Sequence, residues 1–506
     1  MNIRLSGGAG NFLALVAGAV VPLAFAPFGF FPVAPLSMAL LMACWMDVRP
    51  KRAFLRGWLF GLGQFGVGAS WIYISIERYG NALPFTAPVV TVLFVMILAC
   101  YPGLVGYFAR QLAPRSPTLM ALLLVPALWV LFEWIKGWFL TGFSWLDLGY
   151  SQIDGPLGCL APIVGVYGVS AAVVVTGGVV VALSSGTTRV RVSVLAAGVA
   201  LWVGASLLEG VEWVEPKGEP LKVSVVQGNI DQARKWRPEE AAAILGSYQG
   251  LTEQEWGRDL ILWPETAVPM FLREAADFVA ELALRVEESG TDLVFGVPTL
   301  GQQPHEYFNS VVSLSEDVGI YRKRHLVPFG EYFPLRPVLR WLNFMDVPMA
   351  DFAKGELNQP PLRVKDLALG VTICYEIAYS HLVRTTLPEA ALLVTVSNDA
   401  WFGDSLAPHQ HLEIARMRAR ETGRPLLRAT NTGISAIIDS RGQIVPEAPQ
   451  FRSVVLANTI QPMQGATPLV RWGHAPILWL SLAAVVLAII LEFLRRVRFR
   501  YPELES

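Results

Sequence analysis

"GVTICYEIAY" at residues 370–379 ends a short apolar run on a cysteine and turns at once into a tyrosine and a glutamate. Such a run, bounded by a polar break and rich in β-branched residues, reads as a buried strand. In an α/β domain, ligands gather at strand ends, so Cys374 is expected to present its sulfur to a site. Similar runs flank it: LKVSVVQGNI (221–230), DLILWPETA (259–267), TDLVFGVPT (291–299), YFNSVVSLS (307–315), GIYRKRHLVPFGEYFP (319–334), ALLVTVSNDAWFG (391–403) and PLLRATNTGISAIIDSRG (425–442). Candidate helices lie between them at 238–255, 274–289 and 409–422. Strands alternating with helices predict an α/β domain whose apolar strands are buried between layers.

The rest of the chain is of another kind. Its 506 residues are 53% hydrophobic with a formal charge of -1, and the mean hydropathy is +0.44. That is too apolar for an ordinary soluble protein, and the near-zero charge excludes a nucleic-acid footprint. Charge-free stretches at 5–46 (long enough for two spans), 57–76, 80–109, 116–132, 155–188 and 192–208 precede the polar region, and one at 476–494 follows it. A helix needs about 20 apolar residues to cross a bilayer, so about eight transmembrane helices are expected, seven before the polar domain and one after. The expected division is 1–210 membrane-embedded, 211–470 polar α/β domain, and 471–506 a final span with a basic tail. Around 139–157, Gly, Trp and Asp interrupt the pattern, which suits a re-entrant segment.

Basic residues fall in every second loop: Arg49, Lys51, Arg52 and Arg56; Arg110 and Arg115; Arg189 and Arg191; then Arg495, Arg496, Arg498 and Arg500. By the positive-inside rule, both termini are cytoplasmic and the polar domain lies on the far side, which is periplasmic in a Gram-negative bacterium. A rival reading makes Ala24-Phe25-Ala26 a signal-peptide cleavage site; removing one span would put the basic loops and the polar domain on opposite sides only if another span were also miscounted, and the topology argues against cleavage.

Cys44, Cys100 and Cys159 lie in or beside apolar spans, which leaves Cys374 without a disulfide partner in the polar domain. A leftover cysteine in an exported domain is a candidate reactive thiol. Two more strand ends bear ionisable groups: Glu265 after LILWP, and Lys323 in IYRKRH, where alternation sends Lys323 inward with Tyr321 and His325 while Arg322 and Arg324 face solvent. Together they form a coherent set. Glu265 takes the thiol proton, Cys374 attacks a carbonyl, and the Lys323 ammonium stabilises the oxyanion. Each also has a plainer reading: a buried small hydrophobe for Cys374, a solvated face for Lys323 and a loop carboxylate for Glu265.

The motifs WPETA (263–267), KRHLVPFGEYFP (323–334), CYE (374–376) and VSNDAWFG (396–403), in this order behind several spans, closely resemble the apolipoprotein N-acyltransferases. That family's extracytoplasmic domain belongs to the nitrilase, or carbon-nitrogen hydrolase, superfamily. The resemblance implies a nitrilase-like αββα sandwich beside the polytopic helical domain, a monomer, and a Glu-Lys-Cys triad at Glu265, Lys323 and Cys374. It further implies Glu331 as a second glutamate holding the lysine, Tyr375 and Glu376 as functionally important, and Trp236 near the substrate entrance. The implied reaction is ping-pong. Cys374 takes the sn-1 acyl chain of a phospholipid, phosphatidylethanolamine, as a thioester, then yields it to the α-amine of the S-diacylglyceryl cysteine opening an apolipoprotein. No cofactor and no metal is implied, and the implied place is the bacterial inner membrane.

Both substrates bear chains that gain ~0.8 kcal/mol per CH₂ by avoiding water, so a membrane-borne enzyme avoids a prohibitive extraction. The stretch PVLRWLNFM (337–345) suits a lid dipping toward lipid, and Trp138 and Trp145 suit an interface belt. The alternative function is a membrane-anchored nitrilase-type amidase using the same triad with water as second substrate. Weaker signals are the GDSL-like Ser405, His409 and His411 at non-ligand spacing, and Arg416, Arg418, Arg420 and Arg424, which suit lipid headgroups or a solvated helix face.

Overall fold

The computed structural model describes residues 7–79, 85–112, 117–303, 305–332 and 351–500. They gather into two units, one of Met1–Trp71, Pro88–Val211 and Trp472–Ser506 and the other of Ile72–Ala87 and Glu212–Arg471. The lid stretch 337–345 lies outside the described residues.

The first unit is helical because a charge-free apolar chain satisfies its backbone within a bilayer only by pairing it internally. Among the described residues six helices are long and apolar enough to span: Gly7–Ala24, Thr86–Gln111, Pro117–Lys136, Pro156–Ser184, Thr188–Gly210 and Ala475–Leu494. Pro50–Gly68 with Trp71–Arg78 makes a seventh if that broken pair is one span. The eighth expected span is only the helix Val33–Trp45, whose 13 residues reach roughly 20 Å against about 30 Å of hydrocarbon. Prolines 22, 27 and 32 with Gly29 break the 5–46 stretch and leave that helix short.

The interrupted segment forms short 3₁₀ turns at Phe139–Thr141, Tyr150–Gln152 and Pro156–Leu160. Its acid is sequestered: Asp147 pairs with Lys136 at 2.7 Å, both buried. Trp138 is exposed, but Trp145 is buried and packs on the Trp71 and Phe143 rings, so it is no interface anchor.

In the second unit the strands are β1 (Glu215–Pro216), β2 (Leu221–Gln227), β3 (Leu260–Leu262), β4 (Asp292–Leu300), β5 (Tyr307–Leu314), β6 (Gly319–Arg322), β7 (Leu362–Val364), β8 (Leu367–Ile373), β9 (Leu392–Ser397), β10 (Leu426–Thr430), β11 (Ala436–Ile438), β12 (Ile444–Glu447), β13 (Val454–Ile460) and β14 (Met463–Gln464). Two six-stranded sheets form, ordered β13-β2-β3-β4-β5-β6 and β12-β11-β10-β9-β8-β7. In the first, β2, β3 and β4 run parallel, and in the second β8, β9 and β10 do.

The sheets meet through a core to which the first gives Val223, Val225, Leu262 and Val311 and the second gives Val371, Ile373, Val394 and Leu427. The first sheet's other face packs Val226, Ile261, Leu293 and Phe295 against Ile244, Tyr248 and Leu282 of helices Ala241–Thr252 and Ala276–Ser289. Helix Leu406–Thr422 packs against β10 and β11. The layers run helix, sheet, sheet, helix, as expected for an αββα sandwich. The carboxyl ends of the parallel strands then bring β3, β8, β9 and β10 into one neighbourhood, where such folds place their chemistry.

Candidate active site

Glu265 follows β3 by three residues, and its seat depends on a glycine in the neighbouring strand. A Cβ at Gly296 of β4 would lie 2.5 Å from the Thr266 nitrogen and 2.7 Å from the Glu265 Cα. Glu265 is buried, and its Oε1 accepts a hydrogen bond from Asn309 Nδ2 at 2.6 Å. Its backbone carbonyl accepts one from the buried Lys235 Nζ at 2.9 Å.

Lys323 follows β6 and is 1% exposed. Its Nζ donates to Glu331 Oε1 at 2.8 Å and lies 3.9 Å from Glu265 Oε1. Asn309 Nδ2 also donates to Glu331 Oε1, at 3.3 Å, while Glu331 Oε2 accepts the Val327 N–H at 2.8 Å. Burial opposes the charge on Lys323, yet the charges of Glu331, Glu265 and Cys374 outweigh it and hold the ammonium well above the ordinary lysine range. Burial also pushes the Glu265 carboxyl up, reinforced by Glu331 and opposed by Lys323 and the Asn309 hydrogen bond.

Cys374 follows β8 with φ +52°, in the left-handed region that non-glycine residues rarely adopt, and opens the 3₁₀ turn Cys374–Ala378. Its half-buried thiol is pushed up to about 12 by burial and by Glu265, against the opposing pull of Lys323 and a Ser397 hydrogen bond. The sulfur therefore rests as a thiol and needs a base to become a nucleophile. A carboxylate, an ammonium and a thiol thus interact in one buried site, a set chemically able to take a thiol proton and to stabilise an oxyanion.

The partners of the triad occupy distinct positions. Fully buried Glu376 accepts the N–H groups of Ile373 (2.8 Å), Arg324 (2.6 Å) and His325 (3.0 Å) and the Tyr321 hydroxyl (2.9 Å). It binds the Lys323 loop to the Cys374 turn and touches no atom of the triad side chains by hydrogen bond. Tyr375 is half-buried, its ring near those of His325 and Tyr379. Trp236 is 39% exposed at the end of the short helix Gln232–Lys235, one residue from the lysine that holds the Glu265 carbonyl.

Several expectations are corrected. Arg324 is buried, not solvated, and bonds Tyr321, Thr385 and the Leu357 and Leu382 carbonyls, because β6 ends at Arg322 and alternation ends with it. Ser405 is the N-cap of helix Leu406–Thr422, accepting the Ala407 N–H, which gives the GDSL-like signal a structural role. Arg418, Arg420 and Arg424 are buried: Arg418 pairs with Glu421 and Arg424 donates to the Ala390 carbonyl, so they form neither a wet face nor a headgroup surface.

Sequence reasoning overlooked Asn309, Lys235 and a cluster behind Cys374. Asn309 interrupts an otherwise apolar or small-residue strand, and Lys235 directly precedes Trp236. In the cluster, His411 Nε2 lies 3.2 Å from the Cys374 carbonyl oxygen and Nδ1 lies 3.0 Å from Asp399 Oδ1. Arg428 Nη2 donates to Asp399 Oδ2 at 2.6 Å. The signal for the cluster was VSNDAWFG itself, whose Asp399 has a strand-end position like that of the triad.

Residues 17–179 match the apolipoprotein N-acyltransferase N-terminal domain, and residues 222–467 match the carbon-nitrogen hydrolase family. A Methylococcus capsulatus protein named apolipoprotein N-acyltransferase is 45% identical over 475 residues, 94% of each chain. Proteins of the same name from Coxiella burnetii and Azotobacter vinelandii are 40% and 42% identical, covering 96% and 95% of this chain and 100% and 94% of their own.

Proposed function

The chain belongs to the apolipoprotein N-acyltransferase family, and from that premise we propose that Glu265, Lys323 and Cys374 move an acyl chain from a phospholipid to a lipoprotein amine. The observation behind the assignment is the buried Lys323, held by Glu331 at 2.8 Å and beside Glu265 at 3.9 Å, with its charge acting on the Cys374 thiol.

In the first half-reaction the Cys374 sulfur attacks the sn-1 ester carbon of phosphatidylethanolamine as Glu265 takes the thiol proton. The Lys323 ammonium faces the developing oxyanion, a preorganised donor worth about 3 kcal/mol. The tetrahedral intermediate collapses by breaking the ester C–O bond, and the leaving alkoxide takes the proton from Glu265 as the lysophospholipid departs. A thioester remains on Cys374.

In the second half-reaction the neutral α-amine of a diacylglyceryl cysteine attacks the thioester carbon and gives a proton to Glu265. The C–S bond breaks, the thiolate recovers the proton, and an N-acylated lipoprotein leaves. Glu331 with Asn309 orients Lys323, Glu376 fixes the two loops, and Tyr375 and Trp236 border the path of substrate. The alternation of basic loops supports an inner-membrane enzyme with its catalytic domain periplasmic, and the family resemblance implies a monomer.

Mass spectrometry of the enzyme incubated with defined phosphatidylethanolamine tests this reading. A hydroxylamine-labile acyl group on the Cys374 peptide, moving to the α-amine of an added diacylglyceryl lipopeptide, is expected. An adduct lost only to water would favour the amidase instead, and no adduct would exclude the acyl-enzyme route.

A further inference from the structure

The nucleophile sits in a backbone conformation that costs of order 1–3 kcal/mol to hold, so the surrounding structure must enforce it. The cluster behind Cys374 is built to do so. His411 is fully buried on helix Leu406–Thr422, and its Nε2 meets the Cys374 carbonyl oxygen at 3.2 Å. A carbonyl oxygen only accepts, so Nε2 bears the proton. At Nδ1 the ring meets Asp399 Oδ1 at 3.0 Å and the donor Arg428 Nη2 at 3.1 Å.

Asp399 is itself fixed. Arg428 donates to Oδ2 at 2.6 Å, and the Ser397 hydroxyl donates to Oδ1 at 2.6 Å. A Cβ at Gly433 would lie 2.7 Å from both the Asp399 Cβ and Oδ2, so glycine alone admits the carboxylate there. Arg428 is buried and also donates to the Ile434 carbonyl at 3.2 Å. With its proton on the nitrogen facing Cys374, the ring accepts at Nδ1 from Arg428 Nη2, and that guanidinium is itself held within β10 by Asp399 and the Ile434 carbonyl.

We infer that His411 is a positioning residue for the acylation step, holding the Cys374 carbonyl so that the peptide following the nucleophile keeps one orientation. A trans peptide is planar, with its carbonyl and N–H pointing in opposite directions. Fixing the Cys374 carbonyl on His411 consequently aims the Tyr375 N–H away from the histidine, as a further donor to the oxyanion that forms on acylation. His411 acts only through that peptide. The inference rests on the reading of Cys374 as the acylated residue.

The pair H411Q and H411N separates this role from one in the fold. Both variants are polar, but the glutamine amide nitrogen reaches the place of ring Nε2 and the asparagine nitrogen the place of Nδ1. Single-turnover thioester formation on phosphatidylethanolamine in detergent is measured beside Cys374 alkylation by iodoacetamide, a reaction that forms no oxyanion. H411Q is expected within about threefold of wild type in acylation and H411N about 30-fold slower or more, with alkylation nearly unchanged in both. Equal acylation in the two variants, or a parallel loss of acylation and alkylation, would overturn the inference and leave His411 a residue of the fold. Absence of thioester in the wild-type enzyme would instead remove the acyl-enzyme reading on which the inference stands.

Discussion

Glu376 and Tyr321 join the two sheets of the sandwich: the tyrosine hydroxyl at the end of β6 donates to Glu376 Oε2 at 2.9 Å, two residues beyond Cys374. The same carboxylate takes three backbone N–H groups, so all four of its partners are donors. A glutamine turns an NH₂ toward donors and leaves buried N–H groups without an acceptor, at a cost of about 2–3 kcal/mol. E376Q is therefore expected to lower the unfolding temperature of the detergent-solubilised enzyme and to slow thioester formation together. A variant with normal stability and normal acylation would show that the clamp is dispensable.

Asn309 touches both glutamates flanking Lys323. Burial is the main cause of the raised Glu265 carboxyl, and the Asn309 hydrogen bond is one of the effects restraining it. Removing that donor raises the carboxyl further, so N309A should move the acidic limb of the acylation rate to higher pH. Each unit of movement lowers the rate on that limb about tenfold, while the plateau at higher pH changes less. A limb displaced to lower pH in single-turnover assays would contradict the assigned base.

Glu265 has opposite effects on the resting thiol and on the reaction. Its negative charge helps push the Cys374 thiol up to about 12, yet it is the proposed proton acceptor. In E265Q the thiol should ionise more easily, so iodoacetamide alkylation at mildly alkaline pH should quicken. Thioester formation should nonetheless fall by about 10²- to 10⁴-fold for want of a general base. If both rates rose together, Glu265 would act on the thiol by charge alone, and if both fell together it would seat the thiol and not serve as its base.

How far these relationships were legible depends on range. Glu265, Lys323 and Cys374 were legible because each breaks an apolar run at a strand end, a local signal. The fate of Arg324 was not, since alternation presumes a strand and β6 stops at Arg322. The Asp399–His411 contact joins a strand end to a helix, which no single spacing encodes. Trp145 and the buried arginines misled for a related reason: a large amphipathic side chain takes its exposure from the tertiary neighbours. The short helix Val33–Trp45 shows that apolar length overcounts spans where prolines divide the run.

Lys235 offers a pH test that is independent of catalysis. Its ammonium is 1% exposed, donates to the Glu265 carbonyl, and is pulled down to about 8 by burial, with Glu265 opposing. In the unfolded chain the group binds its proton up to the ordinary 10.5. Between these values the unfolded state holds one proton more than the folded state, so folding stability rises with pH across that window and is lost again as pH falls through 8. The full span is worth about 3 kcal/mol. Methionine preserves the shape of the chain without a charge to bury, so the unfolding temperature of K235M, relative to wild type, should be most favourable near pH 7 and decline toward pH 10. A difference that stays flat with pH would show that Lys235 keeps an ordinary proton affinity. Loss of the bond to the Glu265 carbonyl should also slow acylation in K235M at every pH, because the base then loses one of the contacts that seat it.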